Sequence, residues 1–297
     1  MKVLVAQTCG FCNGVRNAIR MAEKILAQEG PRSLGLARDR SAGTQRNVYS
    51  LGPIIHNRDV VERLAKAGLK TVNTVEEIQS GTVIIRSHGA APEQIVKLEE
   101  KGLKIVDATC VLVKRLQHIA EELAKDGYKV VIIGDENHPE VQAVVGCSKD
   151  AVVIADESDL HKLPKSAKLG VVCQTTQSPQ HFGKMLGAIG RSSFSELKVI
   201  NTLCKEAVRR QKSDMQLCKQ VDVMFVLGGL ESANTRKLAE LCRKVNKQTF
   251  HLQNWNELDK SILFDKNIAG VTAGASTPQW IIDEFVKSLQ AFNTSSG

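Results

Sequence analysis

The stretch Lys104-Ile-Val-Asp-Ala-Thr-Cys110, continued by Val111-Leu-Val-Lys-Arg-Leu-Gln-His-Ile-Ala120, decides how the rest of the chain is read. A short β-branched run leads into Asp-Ala-Thr-Cys, and apolar residues at helical spacing take over at once. Cys110 therefore falls at a strand-to-helix turn. There the first backbone N–H groups of a helix point outward and favour an anion such as a thiolate. The same order of signals occurs twice more, at Cys12 and at Cys204.

Before this stretch, residues 1–7 read as a buried strand, 8–15 as a turn and 16–28 as an amphipathic helix closed by Gly30. Residues 31–46, with Gly, Ser, Arg and Asp throughout, read as a loop or inserted arm. A strand at 47–52 opens through Pro53-Ile-Ile-His56-Asn57 into a helix at 58–67. Another strand, 82–86, runs into Ser87-His88-Gly89 and a helix at 92–101. Beyond Cys110 come a helix at 113–125, a strand at 128–134 and the loop Asp135-Glu-Asn-His138-Pro139-Glu140, with a helix starting at 141–145. An extra strand at 151–155 precedes a linker around Pro164. The strand 169–173 then leads to Gln174-Thr175-Thr176 and a further helix. The last cycle has a strand at 197–200, Cys204, a helix to Cys218 and a strand at 221–228. Gly229-Leu-Glu-Ser232-Ala-Asn234-Thr235 follows, with a helix to Val245. After 248–252, a strand at 268–272 reaches Ala273-Gly-Ala-Ser276-Thr-Pro278, a final helix to Phe292 and a polar tail.

Three units of similar length, 1–102, 103–196 and 197–297, thus carry one order: strand–Cys–helix, strand–Gly–polar loop–helix, strand–small polar loop–helix. Cys12 and Cys110 are 98 residues apart, Cys110 and Cys204 are 94. From the cysteine to the next strand-ending Gly the distance is 24 in both later units and 40 in the first, which the arm at 31–46 explains. Alternating strands and helices imply an α/β fold of mostly parallel sheets with right-handed crossovers. Ligands bind at the carboxyl ends of such strands. Three copies around a pseudo-threefold axis would point three cysteines and six polar loops at one centre.

The bulk properties bound the function. A chain of 297 residues can bury real cores, and 42% hydrophobic with 24% charged residues is a globular balance. No apolar run reaches membrane-spanning length and the apolar start is too short for a signal peptide, so a cytoplasmic protein is the default expectation, with no membrane partner. Eight cysteines in a reducing compartment imply metal binding, catalysis or packing rather than disulfides. The net charge is +8, but Lys and Arg are scattered and only 4% of residues are aromatic. That argues against a nucleic-acid face and suits a small anionic substrate.

Cys12, Cys110 and Cys204, one per unit, can hold an iron–sulfur cluster as three thiolates. A missing fourth protein ligand would leave one iron open as a Lewis acid. The plainer alternative is buried structural cysteine, the commonest fate of a free thiol, and the repeat favours the ligand reading. Cys9 forms Cys-x-x-Cys with Cys12 but falls outside the repeat. Cys147, Cys173, Cys218 and Cys242 lie in helical or strand patterns and read as core. His56, His88 and His138 share post-strand loops near helix starts, and with Ser232, Asn234 and Ser276 offer donors for phosphate or diphosphate. The same residues also suit helix N-caps, and the two roles are compatible. Glu140, after His-Pro, is either dipole compensation at a helix start or a proton donor. Thr175 and Thr176 stand where they could pass a proton or hold a hydroxyl.

At these residues the sequence resembles the hydroxymethylbutenyl diphosphate reductase family of the non-mevalonate isoprenoid pathway. The motifs are Gly10-Phe-Cys-Asn-Gly-Val15, His56-Asn57-Arg58, Ser87-His88-Gly89, Asp107-Ala-Thr-Cys110 and His138-Pro-Glu140. Gln174-Thr-Thr176, Asn201-Thr-Leu-Cys204, Ser232-Ala-Asn234 and Gly270-Val-Thr-Ala-Gly-Ala-Ser276 continue them in order along essentially the whole chain. The resemblance implies an oxidoreductase with a 4Fe–4S cluster held by Cys12, Cys110 and Cys204. It implies reductive removal of the hydroxyl from 4-hydroxy-3-methylbut-2-enyl diphosphate, giving isopentenyl and dimethylallyl diphosphates. It assigns proton supply to Glu140 with Thr175 in the relay, and the diphosphate to His56, His88, His138, Ser232, Asn234 and Ser276. A ferredoxin- or flavodoxin-like donor would deliver electrons singly. Two positions depart from the family pattern: Val111 stands where Pro is usual, and Ala233 where a second Ser is common.

Two rival classes stay open at this point. A phosphate- or nucleotide-binding regulatory module would use the same Gly-ended strands, but the chain lacks G-x-G-x-x-G and the phosphate-loop Lys. A paralogous iron–sulfur enzyme acting on another phosphorylated substrate is compatible with Ala233. A structural zinc protein is disfavoured because only three cysteines are equivalent.

Overall fold

A computed structural model describes residues 1–29, 46–165 and 167–294 of the chain. Apart from Arg46, the expected arm at 31–46 lies outside the described residues. In chain order the strands are β1 (Lys2–Val5), β2 (Val48–Leu51), β3 (Leu69–Val72), β4 (Thr82–Ile85), β5 (Lys104–Asp107), β6 (Lys129–Ile133), β7 (Val152–Ile154), β8 (Ala167–Cys173), β9 (Phe194–Val199), β10 (Val223–Leu227), β11 (Thr249–Leu252) and β12 (Ile268–Ala273). The helices are α1 (Asn13–Glu29), α2 (Arg58–Lys66), α3 (Pro92–Glu100), α4 (Val111–Lys125), α5 (Pro139–Val145), α6 (Pro179–Ile189), α7 (Lys205–Cys218), α8 (Ala233–Val245) and α9 (Gln279–Thr294). Prolines open α3, α5 and α6, where the lost N–H is unneeded and the fixed φ suits a helix start. Among the described residues no helix is long and apolar enough to cross a membrane.

The strands form three four-stranded sheets, ordered β3-β2-β4-β5, β7-β6-β8-β9 and β1-β12-β10-β11, and every pairing is parallel. Read from the other edge, the last is β11-β10-β12-β1, so all three share one plan. The first strand of a cycle sits inside, the second goes to one edge, the third returns beside the first, and a fourth closes the other edge. That fourth strand is the one that opens the next repeat in the sequence. For the last sheet it is β1, the first strand of the chain.

The segment boundaries expected from the repeat, 1–102, 103–196 and 197–297, therefore do not coincide with the sheets. β5, β9 and β1 each open a repeat in the sequence but pair into the sheet of the preceding one. Succession along the chain gives the order of elements; pairing across a crossover is decided by packing, which no local signal carries. The burial patterns agree with these positions. Strands β4 and β10 are buried throughout, whereas β1, β5 and β9 are partly exposed and carry Lys2, Lys104, Asp107 and Lys198, as edge strands do. β3 was not expected from the sequence: Leu69-Lys-Thr-Val72 is short and buries only its two ends.

The described residues gather into two compact units. One contains Met1–Arg16, Ile55–Val61 and the chain from Lys205, built on the β11-β10-β12-β1 sheet. The other contains the described parts of Asn17–Ile54 and Glu62–Cys204, with the other two sheets. In the first, Phe225, Val271, Ile282 and Phe285 anchor a core between sheet and α9. In the second, one layer packs Leu116, Leu123, Val130 and Ile132, and another Leu169, Val171, Phe182 and Met185. These rigid layers hold the loops at the strand ends.

Candidate functional site

Sheet order predicts where ligands go. In each sheet the chain leaves the first strand in one direction and the third in the other, which makes a switch point between them at the carboxyl edge. The loops flanking the three switch points are those after β2 and β4, β6 and β8, and β10 and β12. They carry His56 and His88, His138 with Glu140 and Thr175, and Ser232 with Asn234 and Ser276. The cysteines follow the fourth strands, Cys110 after β5, Cys204 after β9 and Cys12 after β1.

One hydrogen bond recurs at all three cysteines. Each donates its backbone N–H to a carbonyl in the loop after the third strand of its own sheet. Cys110 N reaches Ser87 O at 3.0 Å, Cys204 N reaches Thr175 O at 2.8 Å and Cys12 N reaches Ala275 O at 3.2 Å. Every cysteine is thereby tied to a loop bearing a candidate site residue: Ser87 precedes His88, Ala275 precedes Ser276, and Thr175 is itself the proton-relay candidate. All eight cysteines are free thiols, and these three are half-buried.

Within the larger unit the carboxyl of Glu140 is the best-defined group. It is 2% exposed. Thr175 N donates to Oε1 at 2.6 Å and Thr175 Oγ1 to Oε2 at 2.8 Å. Burial pushes its pKa above the usual carboxylate range, and the two Thr175 bonds only partly oppose this. His138 caps α5: its Nδ1 accepts from Glu140 N at 3.2 Å. In the neutral ring the proton then sits on Nε2, a donor for something else. The rings of His88 and His138 meet edge to face, with centroids 5.5 Å apart. Cys110 starts α4; the N–H groups of Leu112 and Val113 lower its pKa, but burial outweighs them, and the nearby Cys204 and Glu140 raise it further. The helix start alone does not make Cys110 a thiolate. A bound cation would reverse that balance and deprotonate a coordinating thiol, and Cys110 with Cys204 nearby suits such a group. Val111 occupies the first position of α4, where proline's only contribution is a pre-set φ, and its side chain is 75% exposed. That substitution leaves the cysteine in place.

Some residues of the quoted motifs have a supporting role that the sequence did not assign. Thr202 accepts from Cys173 N at 2.8 Å and donates to Cys173 O at 2.5 Å, which braces the Cys204 loop against β8. Asp107 accepts from Thr109 N at 2.9 Å and pairs with Lys114 at 2.5 Å, which fixes the turn before Cys110. Gln174 Oε1 accepts from Asp135 N at 3.0 Å, joining the two loops of that switch point. The Asp-x-Thr spacing is a readable turn signal; the other two contacts are long-range.

In the smaller unit the loops after β10 and β12 pack so closely that side chains would collide. A Cβ on Gly228 would lie 2.6 Å from Thr277 Oγ1, and one on Gly274 would strike the Thr235 hydroxyl. Ser232 caps α8, accepting from Thr235 N at 3.3 Å and from Thr235 Oγ1 at 2.9 Å. Its own hydroxyl proton remains to donate, so capping and anion binding coexist. Asn234 is the second residue of α8, half-buried beside the outward N–H groups of that helix. Ser276 Oγ donates to His56 O at 3.1 Å, which brings two of the expected diphosphate-binding residues together. Offering that proton to an anion requires the Ser276 hydroxyl to turn. Cys12 precedes α1, and Val15 N donates toward its sulfur at 3.4 Å.

Of the cysteines expected to be core, Cys173, Cys218 and Cys242 are buried. Cys147 is half-buried, its thiol donates to Ala143 O at 3.3 Å, and burial pushes its pKa up to about 12.

Comparison with known proteins bears on the whole chain. Residues 3–290 match the LytB protein family. The chain is 40% identical over 296 residues to the 4-hydroxy-3-methylbut-2-enyl diphosphate reductase of Trichlorobacter lovleyi, covering 99% of this chain and 100% of that one. It is 41% identical over 291 residues to the enzyme of the same name from Alkaliphilus oremlandii, covering 97% and 99%. Among solved structures, it resembles one of (E)-4-hydroxy-3-methyl-but-2-enyl diphosphate reductase, described as the terminal enzyme of the non-mevalonate pathway. That likeness has a TM-score of 0.69 at 37% identity over 98% of this chain and 100% of that one. The Plasmodium falciparum reductase structure gives a TM-score of 0.85 at 25% identity, covering 97% and 87%.

Proposed function

The chain belongs to the LytB family, and from that premise we propose that it is an iron–sulfur oxidoreductase converting 4-hydroxy-3-methylbut-2-enyl diphosphate into isopentenyl and dimethylallyl diphosphates. The reaction takes up two electrons and two protons, breaks the allylic C–O bond and releases water. The observation that supports it best is local: a fully buried carboxyl, Glu140, held by both donors of Thr175 beside two half-buried thiols.

Cys12, Cys110 and Cys204 are the residues that would hold a 4Fe–4S cluster, each fixed through the recurring backbone bond to its third-strand loop. When bound, the cluster supplies single electrons and a Lewis-acidic iron; a ferredoxin- or flavodoxin-like protein would refill it. The remaining work falls to side chains. With its pKa raised, Glu140 carries a proton at pH values where an exposed carboxylate has lost it. Once protonated at Oε2, it donates to Thr175 Oγ1 rather than accepting from it. The Thr175 hydroxyl proton is then released toward the departing hydroxyl, and the pair acts as a two-step relay. Ser232, Asn234 and the α8 start supply donors for the diphosphate, as do His56, His88, His138 and Ser276.

The test is iron and acid-labile sulfide content after anaerobic purification, with turnover of the allylic diphosphate. The expected result is about four of each per chain, reductive turnover, and loss of both cluster and turnover in Cys110→Ser. A protein that carries no iron under strict anaerobiosis yet binds diphosphate would return the regulatory module to first place. A loaded cluster with no turnover of this substrate would favour the paralogous enzyme, the reading that Ala233 keeps in view.

A further inference from the structure

The inward face of α7 is polar. Its buried residues are Arg210, Gln211, Asp214 and Cys218, where a core-facing helix ordinarily presents an aliphatic stripe. Arg210 is 7% exposed and Asp214 is 0% exposed. Arg210 Nε, both Asp214 carboxylate oxygens and the Thr272 hydroxyl lack a hydrogen-bond partner. Burying charged groups with an incomplete set of partners is costly, and this cost falls behind one particular loop. Arg210 Nη1 donates to Gly10 O at 2.6 Å, across 200 residues of sequence, while Nη2 pairs with Glu206 Oε1 at 2.8 Å. Gly10 is two residues before Cys12. The loop is therefore pinned at two points, its carbonyl by a guanidinium and, at Cys12 N, by Ala275 O. The helix providing the guanidinium starts at the residue after Cys204.

We propose that Arg210 is a positioning residue for Cys12: by holding the Gly10 carbonyl it fixes the loop that presents the sulfur, and so governs how well the metal group is retained. The inference rests on reading Cys12 as a cluster ligand. A charge-assisted bond to a backbone carbonyl in a dry setting is among the stronger neutral-loop restraints. A group held by only three protein thiolates has no spare ligand to compensate for one that wanders. Outer partners of metal ligands commonly govern affinity in this way.

The experiment compares the full-length wild type, Arg210→Met and Arg210→Lys, all purified and loaded anaerobically. It reads iron and sulfide per chain, the rate of cluster bleaching in air, and the electron paramagnetic resonance spectrum of the reduced protein. In Arg210→Met, bleaching accelerates about tenfold or more, in keeping with the effect of outer-shell substitutions, iron content falls and the spectrum changes. Arg210→Lys, which keeps a charge and a donor of similar reach, restores part of each. Wild-type bleaching and an unchanged spectrum in a folded Arg210→Met protein overturn the proposal. If Arg210→Met does not fold, a wild-type rate and spectrum in Arg210→Lys overturn it instead, and faster bleaching with a changed spectrum there supports it. A wild type that takes up no iron fails the cluster reading itself, and the inference falls with it.

Discussion

Two carboxyl groups are buried among the described residues, one in each compact unit, and the protein holds them in opposite ways. Glu140 has both oxygens bonded to Thr175. Asp214 has neither oxygen bonded, with Thr272 and Arg210 the only groups nearby that lower its pKa. Burial raises both above the ordinary carboxylate range, Asp214 to about 7. A raised pKa therefore does not identify an acid catalyst by itself. Glu140 sits in a switch-point loop bonded to a hydroxyl that can pass its proton on, whereas Asp214 sits on the inner face of a helix with the Thr272 hydroxyl near but not in bonding contact. The difference lies in orientation, not in acidity.

The largest expected effect follows from this. Glu140→Gln preserves shape and the bond from Thr175 N but removes the transferable proton. Turnover falls by about 10²- to 10⁴-fold, the usual worth of a positioned general acid, with iron content and KM little changed. In the wild type, kcat declines as pH rises through the raised pKa of Glu140, and in the variant that limb disappears. Near-normal turnover in Glu140→Gln would remove the carboxyl from the mechanism and leave the two buried acids equivalent.

Asp214→Asn tests the other half. Because the folded chain binds this proton more tightly than the unfolded chain, unfolding free energy falls as pH rises from the ordinary value of 3.8 to about 7 and is level above it. The full span corresponds to at most about 4 kcal/mol. Asp214→Asn flattens this slope, raising the melting temperature relative to wild type more at pH 8 than at pH 5, with kcat unchanged. Thermal unfolding at the two pH values, with turnover measured alongside, decides it. A loss of kcat comparable to that of Glu140→Gln would show Asp214 to be more than a buried charge.

Much of this arrangement was legible in the sequence because the signals are local. A β-branched run, a cysteine and a helical period recur three times, and polar residues stand where strands end. The three backbone bonds from Cys12, Cys110 and Cys204 give the repeat a physical meaning. What the sequence withheld was non-local. β5 reads as the start of a repeat, yet Lys104 pairs with Thr82, because an edge strand is chosen by packing after a crossover. β3 was missed because Lys70 and Thr71 are exposed in its middle. Arg210 and Asp214 were passed over because polar residues in a helix read as its solvated face, and only their contacts show that they point inward.

The start of α8 should affect binding more than chemistry. Asn234→Ala removes a side chain from the start of α8 without touching the Ser232 cap or the glycine-packed loops. If it donates to the diphosphate, losing a bond to a charged group costs about 1.5–3 kcal/mol. KM then rises roughly ten- to hundredfold while kcat stays within a few-fold. Steady-state kinetics would contradict the division of labour if kcat carried the loss instead.

The finest distinction concerns Ala233, the first residue of α8, half-buried between Ser232 and Asn234. Where the family pattern commonly has a second hydroxyl, this chain relies on backbone N–H groups at a helix start, which attract anions without any side chain. Ala233→Ser leaves the cap and the loop packing intact and adds one donor. A net hydrogen bond of about 0.5–1.5 kcal/mol corresponds to a KM two- to tenfold lower. Since the hydroxyl would contact the diphosphate equally before and during C–O cleavage, kcat should not move. Measured on the loaded enzyme, an unchanged KM would mean that the helix start already satisfies that part of the diphosphate. A change in kcat would mean that this loop takes part in the chemistry assigned to Glu140, and the contrast between the two units would have to be redrawn.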